Sequence, residues 1–456
     1  MISSLRKAFR LGTAPRLALV GAGGKTTVLF RLAGEYPPPV LVTATTHLGV
    51  EQLIPGGRHF LVDGPQALAV IDAEWLGQAL LLTGPVTTDG SRWQGLDPEM
   101  MDLVGQMAER RGTPLLIEAD GSRRLPLKAP AEHEPAIPGF VDGVVVLASL
   151  HGLGKALDGQ TVHRPEIFGQ LSGLKQGETI TAEALERMLR HPAGGLKNIP
   201  AGARRMALLN GADNPALQEQ GHALAERLLA DYEATAVVSL GGNSVMGGVG
   251  GQAEARLFAV HERVAGIILA AGAGERMGGQ VKLLLHWRGE PLVRTVARTA
   301  LESGLRPVVV VIGANADEIR PALSDLPVVL AHNPDWRAGQ SASVRVGVEA
   351  LPGKTGAAVF LLGDQPQTPS ALVRALMDEH ARSLAEVVAP VIGARRANPV
   401  LFDREVFADL RTLHGDAGGR QVFERHGLHP LPWEDERQLW DVDTPEDYQR
   451  LLRMVD

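Results

Sequence analysis

The sequence predicts an α/β protein built as two three-layer domains, and three observations carry that reading. The chain has 456 residues, too long for one ordinary domain. Continuous apolar runs alternate with helix-like stretches, the pattern of parallel sheets covered on both faces. A glycine-rich segment, GGNSVMGGVGGQAEARLFAVHERV (241–264), interrupts the alternation and marks a linker, which gives expected domains of 1–255 and 262–456.

The elements follow in order. In the first region a strand RLALV (16–20) leads into GAGGKTT and a helix-like VLFRLAGEY. PVLVTATT, TPLLIEAD (113–120), DGVVVLASL (142–150), MALLN and ATAVVSL read as further strands, and TAEALERMLRH and NPALQEQGHALAERLLADY carry helical spacing. After the glycine-rich segment the pattern restarts with VAGIILA, PVVVVIG, LPVVLA, AAVFLLG and EVVAPVI as strands. PLVRTVARTALESG and PSALVRALMDEHARS lie between them as helices. The two halves share an architecture but no sequence repeat.

Composition excludes several roles. A formal charge of −7 leaves no excess of basic side chains to neutralise nucleic-acid phosphates. Cysteine is absent, so there is no disulfide, thiolate metal site or cysteine nucleophile, which fits a reducing cytoplasm. No apolar run reaches the roughly 18 residues of a membrane helix. The leading MISSLRKAFRLG lacks the apolar core of a signal peptide, so a cytoplasmic location is expected.

The second region opens on LAAGAGERMGGQVKLLL (269–285). Gly272, Gly274 and Gly278 let backbone amides approach a ligand, and a strand feeding such a loop suits a phosphate. Arg276 can fork two bonds to phosphate oxygens and Lys282 adds a point charge. AAVFLLGDQP ends a strand in Asp364, where an α/β sheet binds ligands and where a hard cation such as Mg²⁺ finds oxygen. WDVDTPEDY (440–448) supplies Asp441 and Asp443 ahead of a Thr-Pro helix start, with Glu446 and Asp447 read as capping residues. GQSASVRVGV (339–348) places Ser341, Ser343 and Arg345 at another helix start, suited to short hydrogen bonds with a base or ribose.

Together these motifs resemble the nucleotidyltransferase family of the molybdenum cofactor cytidylyl- and guanylyltransferases, over roughly 264–456. The resemblance implies a Rossmann-like, GT-A-like fold. It implies that the signature loop, with Ala270 and Ala271, binds the nucleotide, and that Arg276, Lys282 and Asp364 are catalytic. It assigns metal binding to Asp364 with Asp443 or Asp441. RANPVLF and HGDAGGRQVF look like substrate-side segments, which nominates Asn398, Asp416 and Arg420. LAAG, LLGDQP and HGDAGGR resemble the cytidylyl branch more than the guanylyl branch, so CTP is the expected nucleotide and molybdopterin the acceptor.

In the first region LVGAGGKTT has the strand–loop–helix context of a phosphate-binding P-loop. The strict form needs a glycine at position 19, which is Leu, so this is a variant. Gly23, Gly24, Lys25, Thr26 and Thr27 are the candidate ATP- or GTP-binding residues, with Lys25 on the phosphates and Thr26 on Mg²⁺. TPLLIEAD offers Asp120 or Glu118 as the magnesium acid. Arg123, Arg124, Lys128, His163 and Arg164 are basic residues that could grip a second anion, and His47 and His133 lie in the same segments. LNGADNP (209–215) has the outline of a base-recognition motif, with Gly211 where a lysine is usual. GAGGKTT, TATTH, EADGSRRLPLKAP, EHEPAIP and VHRPE resemble the YqeC-type selenium-dependent hydroxylase accessory family, over roughly 15–245. That resemblance implies nucleotide binding and a link to maturation of molybdenum hydroxylases, with the recipient hydroxylase as a partner.

The expectation is therefore a cytidylyltransferase fused to a nucleotide-binding accessory domain. Two alternatives remain: a nucleotidyltransferase for GTP or for a sugar or alcohol phosphate, and a cofactor carrier whose nucleotide sites switch its shape.

Overall fold

The computed structural model describes residues 4–54, 56–241, 255–415 and 420–454. The chain divides into two compact units, Met1–His261 and Glu262–Asp456. Most of the glycine-rich segment, 242–254, lies outside the described residues.

The first unit is a nine-stranded sheet. In chain order its strands are β1 (Arg16–Gly21), β2 (Val40–Ala44), β3 (Arg58–Leu61), β4 (Ala79–Thr83), β5 (Leu115–Glu118), β6 (Gly143–Ser149), β7 (Arg204–Asn210), β8 (Ala234–Ser239) and β9 (Arg256–Glu262). Their spatial order is β9-β8-β7-β6-β1-β5-β2-β4-β3. The ladders on both sides of β1 are parallel, with Leu17 facing Leu116 on β5 and Gly143 on β6. Every residue of β5 and β6 is buried, and both are apolar up to their last residues, Glu118 and Ser149. Helix α1 (Lys25–Glu35) packs Val28, Leu29 and Leu32 inward. β3 was not expected, because RHFL is an edge strand with no buried face to impose an apolar pattern. The end of the expected linker is β9, where Leu257, Ala259 and Val260 are buried.

The second unit is an eight-stranded mixed sheet. β10 (Val264–Ala270) lies between β11 (Val308–Ile312) and β13 (Ala357–Leu362), all parallel, with β12 (Val329–His332) beyond β11. One strand, β16 (Val400–Asp403), runs the other way between β13 and β14 (Val387–Ile392) and is antiparallel to both. The short β15 (Arg395–Arg396) and β17 (His429–Pro432) flank β14. Helices α2 (Leu292–Glu302) and α4 (Ser370–Ser383) bury apolar faces, as does α3 (Gln340–Glu349). The last helix, α5 (Pro445–Leu452), starts in a capping box of Thr444 and Asp447, an arrangement worth about 1 kcal/mol. Asp447 is the capping acid that the Thr-Pro start implied.

Candidate functional site

In the second unit, β10 and β13 run parallel, so both release their chains at one end of the sheet. The Gly363 amide donates to the Leu269 carbonyl at 3.0 Å, and this holds Asp364 beside the glycine loop. The C-terminal acids arrive from far along the chain. The Gln365 side chain donates through Nε2 to Asp441 Oδ1 at 2.6 Å and fastens segment 440–443 there.

Lys282 stands at the centre. Its Nζ donates to Asp364 Oδ2 at 2.5 Å and to Asp443 Oδ1 at 3.0 Å. Burial lowers its pKa, but the two carboxylates outweigh burial and the net shift is upward. The more exposed Arg276 donates to Asp443 Oδ2 at 3.0 Å. Burial, then Asp364, pushes Asp441 above the ordinary carboxylate range, and Asp443 adds to this. A carboxylate such as Asp441, crowded by other acids, marks a place that favours a cation.

A cleft of about 300 Å³ opens over these groups, walled by Ala270, Ala271, Gly272, Gly274 and Trp336. The amino end of α3 forms its far side through Gly339, Gln340 and Ser343. No side chain among the described residues caps that helix end, so its first amides suit an anion. Ser343 Oγ accepts from Asn333 at 2.9 Å, while the buried Ser341 hydroxyl has no hydrogen-bond partner among the described residues. Among the described residues no three His, Asp or Glu side chains form a ready-made metal cage. Two carboxylates over an open cleft still match Mg²⁺, which commonly takes one or two protein oxygens plus substrate phosphates.

Other candidates lie elsewhere. Arg345 does not line the cleft, because its guanidinium donates to the Leu413 carbonyl. Asn398 is half-buried just before β16 and is not in the cleft wall. Asp416 lies outside the described residues, and Arg420 begins a helix, Arg420–His426.

In the first unit the loop after β1 is tightly closed. Gly21 and Gly23 have φ of +95° and +86°, and a Cβ on them would stand 2.2 Å from Leu147 O and 2.6 Å from Ser149 Cβ. Only glycine fits these positions. Lys25 turns back over the loop, with Nζ donating to Gly21 O at 2.7 Å and lying 3.2 Å from Asp120 Oδ1. Asp120 also accepts from the Gly21 amide and pairs with Lys128 at 2.9 Å. Lys128 continues to Glu134 at 2.8 Å, and Glu134 to Arg164 at 2.7 Å. Glu134 accordingly sits at about 2, since Lys128 and Arg164 overcome its burial.

The acid beside Thr26 is Glu118, whose Oε2 accepts from Thr26 Oγ1 at 2.9 Å. Of the two acids that the sequence offers for Mg²⁺, Asp120 is instead taken up by Lys25, Lys128 and the Gly21 amide. Burial pushes Glu118 up against the opposing pull of Lys25 and Thr26. Lys128 and His163 are buried on a short parallel pair of strands, Leu127–Lys128 and Val162–His163. Burial, then Arg164, Lys128 and Arg123, lower His163 to about 4. Arg123 and Arg124 are exposed in left-handed backbone, and Arg124 pairs with Glu51 at 2.7 Å. Thr27, His47 and His133 are exposed. Glu134 was not foreseen, since EHEP has no spacing that marks one of its acids as the partner of Lys128. Trp336 was not foreseen either, since a lone tryptophan before a helix reads as packing.

Two family models match the chain. The MobA-like NTP transferase domain matches residues 266–430, and the YqeC protein family matches residues 17–166. The chain is 37% identical to the uncharacterized protein YqeC of Escherichia coli over 204 residues, which covers 42% of this chain and 75% of that one. It is 36% identical to nicotine blue oxidoreductase of Paenarthrobacter nicotinovorans over 203 residues, 41% of this chain and 96% of the relative. It is 31% identical to the molybdenum cofactor guanylyltransferase of Cupriavidus metallidurans over 190 residues, 40% of this chain and 90% of the relative.

Proposed function

Because the chain belongs to the YqeC family in its first part and to the MobA-like NTP transferase family in its second, we propose that it joins a nucleotide-binding accessory unit to a nucleotidyltransferase acting on the molybdenum cofactor. The observation that carries the transferase reading is Lys282 bridging Asp364 and Asp443 beneath an open cleft.

In the reaction, a phosphate oxygen of molybdopterin attacks the α-phosphorus of CTP. The bond from that phosphorus to the bridging oxygen breaks, and pyrophosphate leaves. The nucleophile is already an anion, so no strong base is required. The obstacle is charge, since two polyanions must meet. Mg²⁺ held by Asp364, with Asp443 or Asp441, would screen the phosphate oxygens. Lys282, Arg276 and the loop amides stabilise the departing pyrophosphate. The amino end of α3, with Gln340 and Ser343 in the cleft wall, would receive the nucleoside.

CTP is favoured by the LAAG, LLGDQP and HGDAGGR segments. A guanylyl reading is favoured by the guanylyltransferase among the relatives. The first unit is read as a P-loop-like nucleotide site, with Lys25 toward the phosphates and Thr26 with Glu118 toward Mg²⁺. It would serve a molybdenum hydroxylase that receives the finished cofactor. Pyrophosphate release by the purified chain, with Mg²⁺ and molybdenum-loaded molybdopterin, tests the transferase reading. Release with CTP and not GTP supports cytidylyl transfer. Release with GTP alone replaces CTP, and release with neither overturns the reading.

A further inference from the structure

A second cluster lies at the same end of the first unit's sheet as the glycine loop, and the proposed function leaves it unused. β1, β6, β7 and β8 are neighbours in parallel ladders, so the turns that follow β1, β7 and β8 emerge together. Asn210 ends β7 and ties three of these segments. Its Nδ2 donates to Gly23 O at 2.7 Å, inside the glycine loop. Its Oδ1 accepts from the Gly211 amide at 2.7 Å and the Leu240 amide at 3.0 Å. The turn after β7 is thereby fixed against the loop after β1.

Asp213 stands three residues farther on. Its side chain is 47% exposed yet held in one orientation. One oxygen accepts from the Ser239 hydroxyl, and the other is 2.6 Å from His151 Nε2. Gly211 has φ +88°, and a Cβ there would stand 2.9 Å from the His151 ring. A carboxylate offers about four lone-pair directions, and contacts among the described residues use two. Among the described residues, one acceptor direction on each oxygen is left.

Two parallel acceptors fit a planar edge with two adjacent N–H donors. Guanine has that edge in N1–H and its exocyclic amine. Adenine and cytosine place a lone pair beside their amine, which would face the carboxylate with like charge. Uracil offers a single N–H. We propose that the first unit selects guanine nucleotides, with Asp213 reading the base and Asn210 positioning the base turn against the phosphate loop. This rests on the reading of residues 21–27 as a phosphate-binding loop.

The test titrates the full chain with fluorescent GTP, ATP and XTP (xanthosine triphosphate), as wild type, Asp213→Asn, Lys25→Ala and the milder Thr26→Ala. Binding lost in Lys25→Ala or Thr26→Ala belongs to the first unit. In the wild type that component prefers GTP to ATP by about 100-fold, since an unmatched polar edge is strongly rejected. Asp213→Asn removes the preference and confers XTP binding, because the new amide donates to the C2 carbonyl of xanthine. A gain of XTP binding cannot come from misfolding or from the unaltered second unit. Equal binding of ATP and GTP, or an unchanged order of nucleotides in Asp213→Asn, overturns the guanine assignment and leaves the phosphate loop standing. No binding that depends on Lys25 or Thr26 overturns the phosphate loop and the guanine assignment together.

Discussion

Both units set a strand, a glycine-rich turn and a lysine at the carboxyl end of a parallel sheet, but the two lysines meet different surroundings. The Lys25 side chain is 2% exposed and closed against Gly21 and Asp120. The Lys282 side chain is 14% exposed and spans two acids beneath a cleft. The same local pattern therefore yields a latched loop in one unit and an open one in the other. What differs is the acids: Asp120 is shared by two buried ammonium groups, whereas Asp364 and Asp443 share one and face the cleft.

The largest effect is expected at the open site. Asp364→Ala should leave a folded chain whose nucleotidyl transfer falls by about 10³-fold, since a charge clamp on the phosphates is lost. Pyrophosphate release reads this. Activity retained within about tenfold would remove Asp364 from the cleft chemistry and break the contrast.

The closed site should answer in stability. Asp120→Ala leaves Lys25 and Lys128 without their shared partner and should cost about 3–5 kcal/mol, read by urea unfolding of the full chain. Glu118→Gln should cost little near neutral pH or stabilise, because burial already opposes the charge of Glu118. If the two substitutions destabilise equally, the division into a structural acid and a ligand-facing acid is wrong.

Arg276→Ala should be milder. Its side chain is 71% exposed and its pair with Asp443 is open to water, so the pair itself contributes little to folding. Both kcat and kcat/KM should fall by about tenfold, as expected of a contact that strengthens on the departing pyrophosphate. A rise confined to the nucleotide KM would place Arg276 on the bound nucleotide in ground and transition state alike.

Much of this contrast could be read from the chain, and its limits have physical causes. LALVG, LLIE and VVVLAS announce buried strands because both faces of a parallel sheet are covered. The edge strand Arg58–Leu61 has no such signature, and the antiparallel placement of β16 between β13 and β14 is set by pairing partners that residue spacing does not encode. LAAGAGERMGGQVK, GDQ and DVD each suggested a role, but only the fold shows Gln365 fastening Asp441 and Lys282 reaching two acids. The sequence left Asp120 and Glu118 both open beside Thr26, and the choice of Glu118 turns on strand-end geometry: the two acids are two residues apart, and the backbone decides which faces the helix. Arg345 carried the right chemistry at a helix start but faces the wrong side of that helix.

Two histidines give the smallest and cleanest test of the contrast. His163 lies by the closed network, where burial and then Arg164, Lys128 and Arg123 lower it to about 4. His426 lies in the second unit between Glu386 and Asp409, each 2.6 Å from a ring nitrogen. Burial lowers it, but the two carboxylates prevail and its pKa is raised. The signs are opposite. For His163 the unfolded chain takes up the proton first, so its contribution to stability is lost as pH falls from about 6.5 toward 4. For His426 the folded chain holds the proton longer, so its contribution is full below about pH 6.5 and is lost as pH rises through the raised value. Imidazole carbon shifts followed by NMR, assigned with His163→Gln and His426→Gln, should show His163 neutral and His426 partly protonated at pH 6.5. A His163 that titrates in the ordinary range would mean that water enters the first unit's charge network. The latched loop would then be no more closed than the cleft around Lys282.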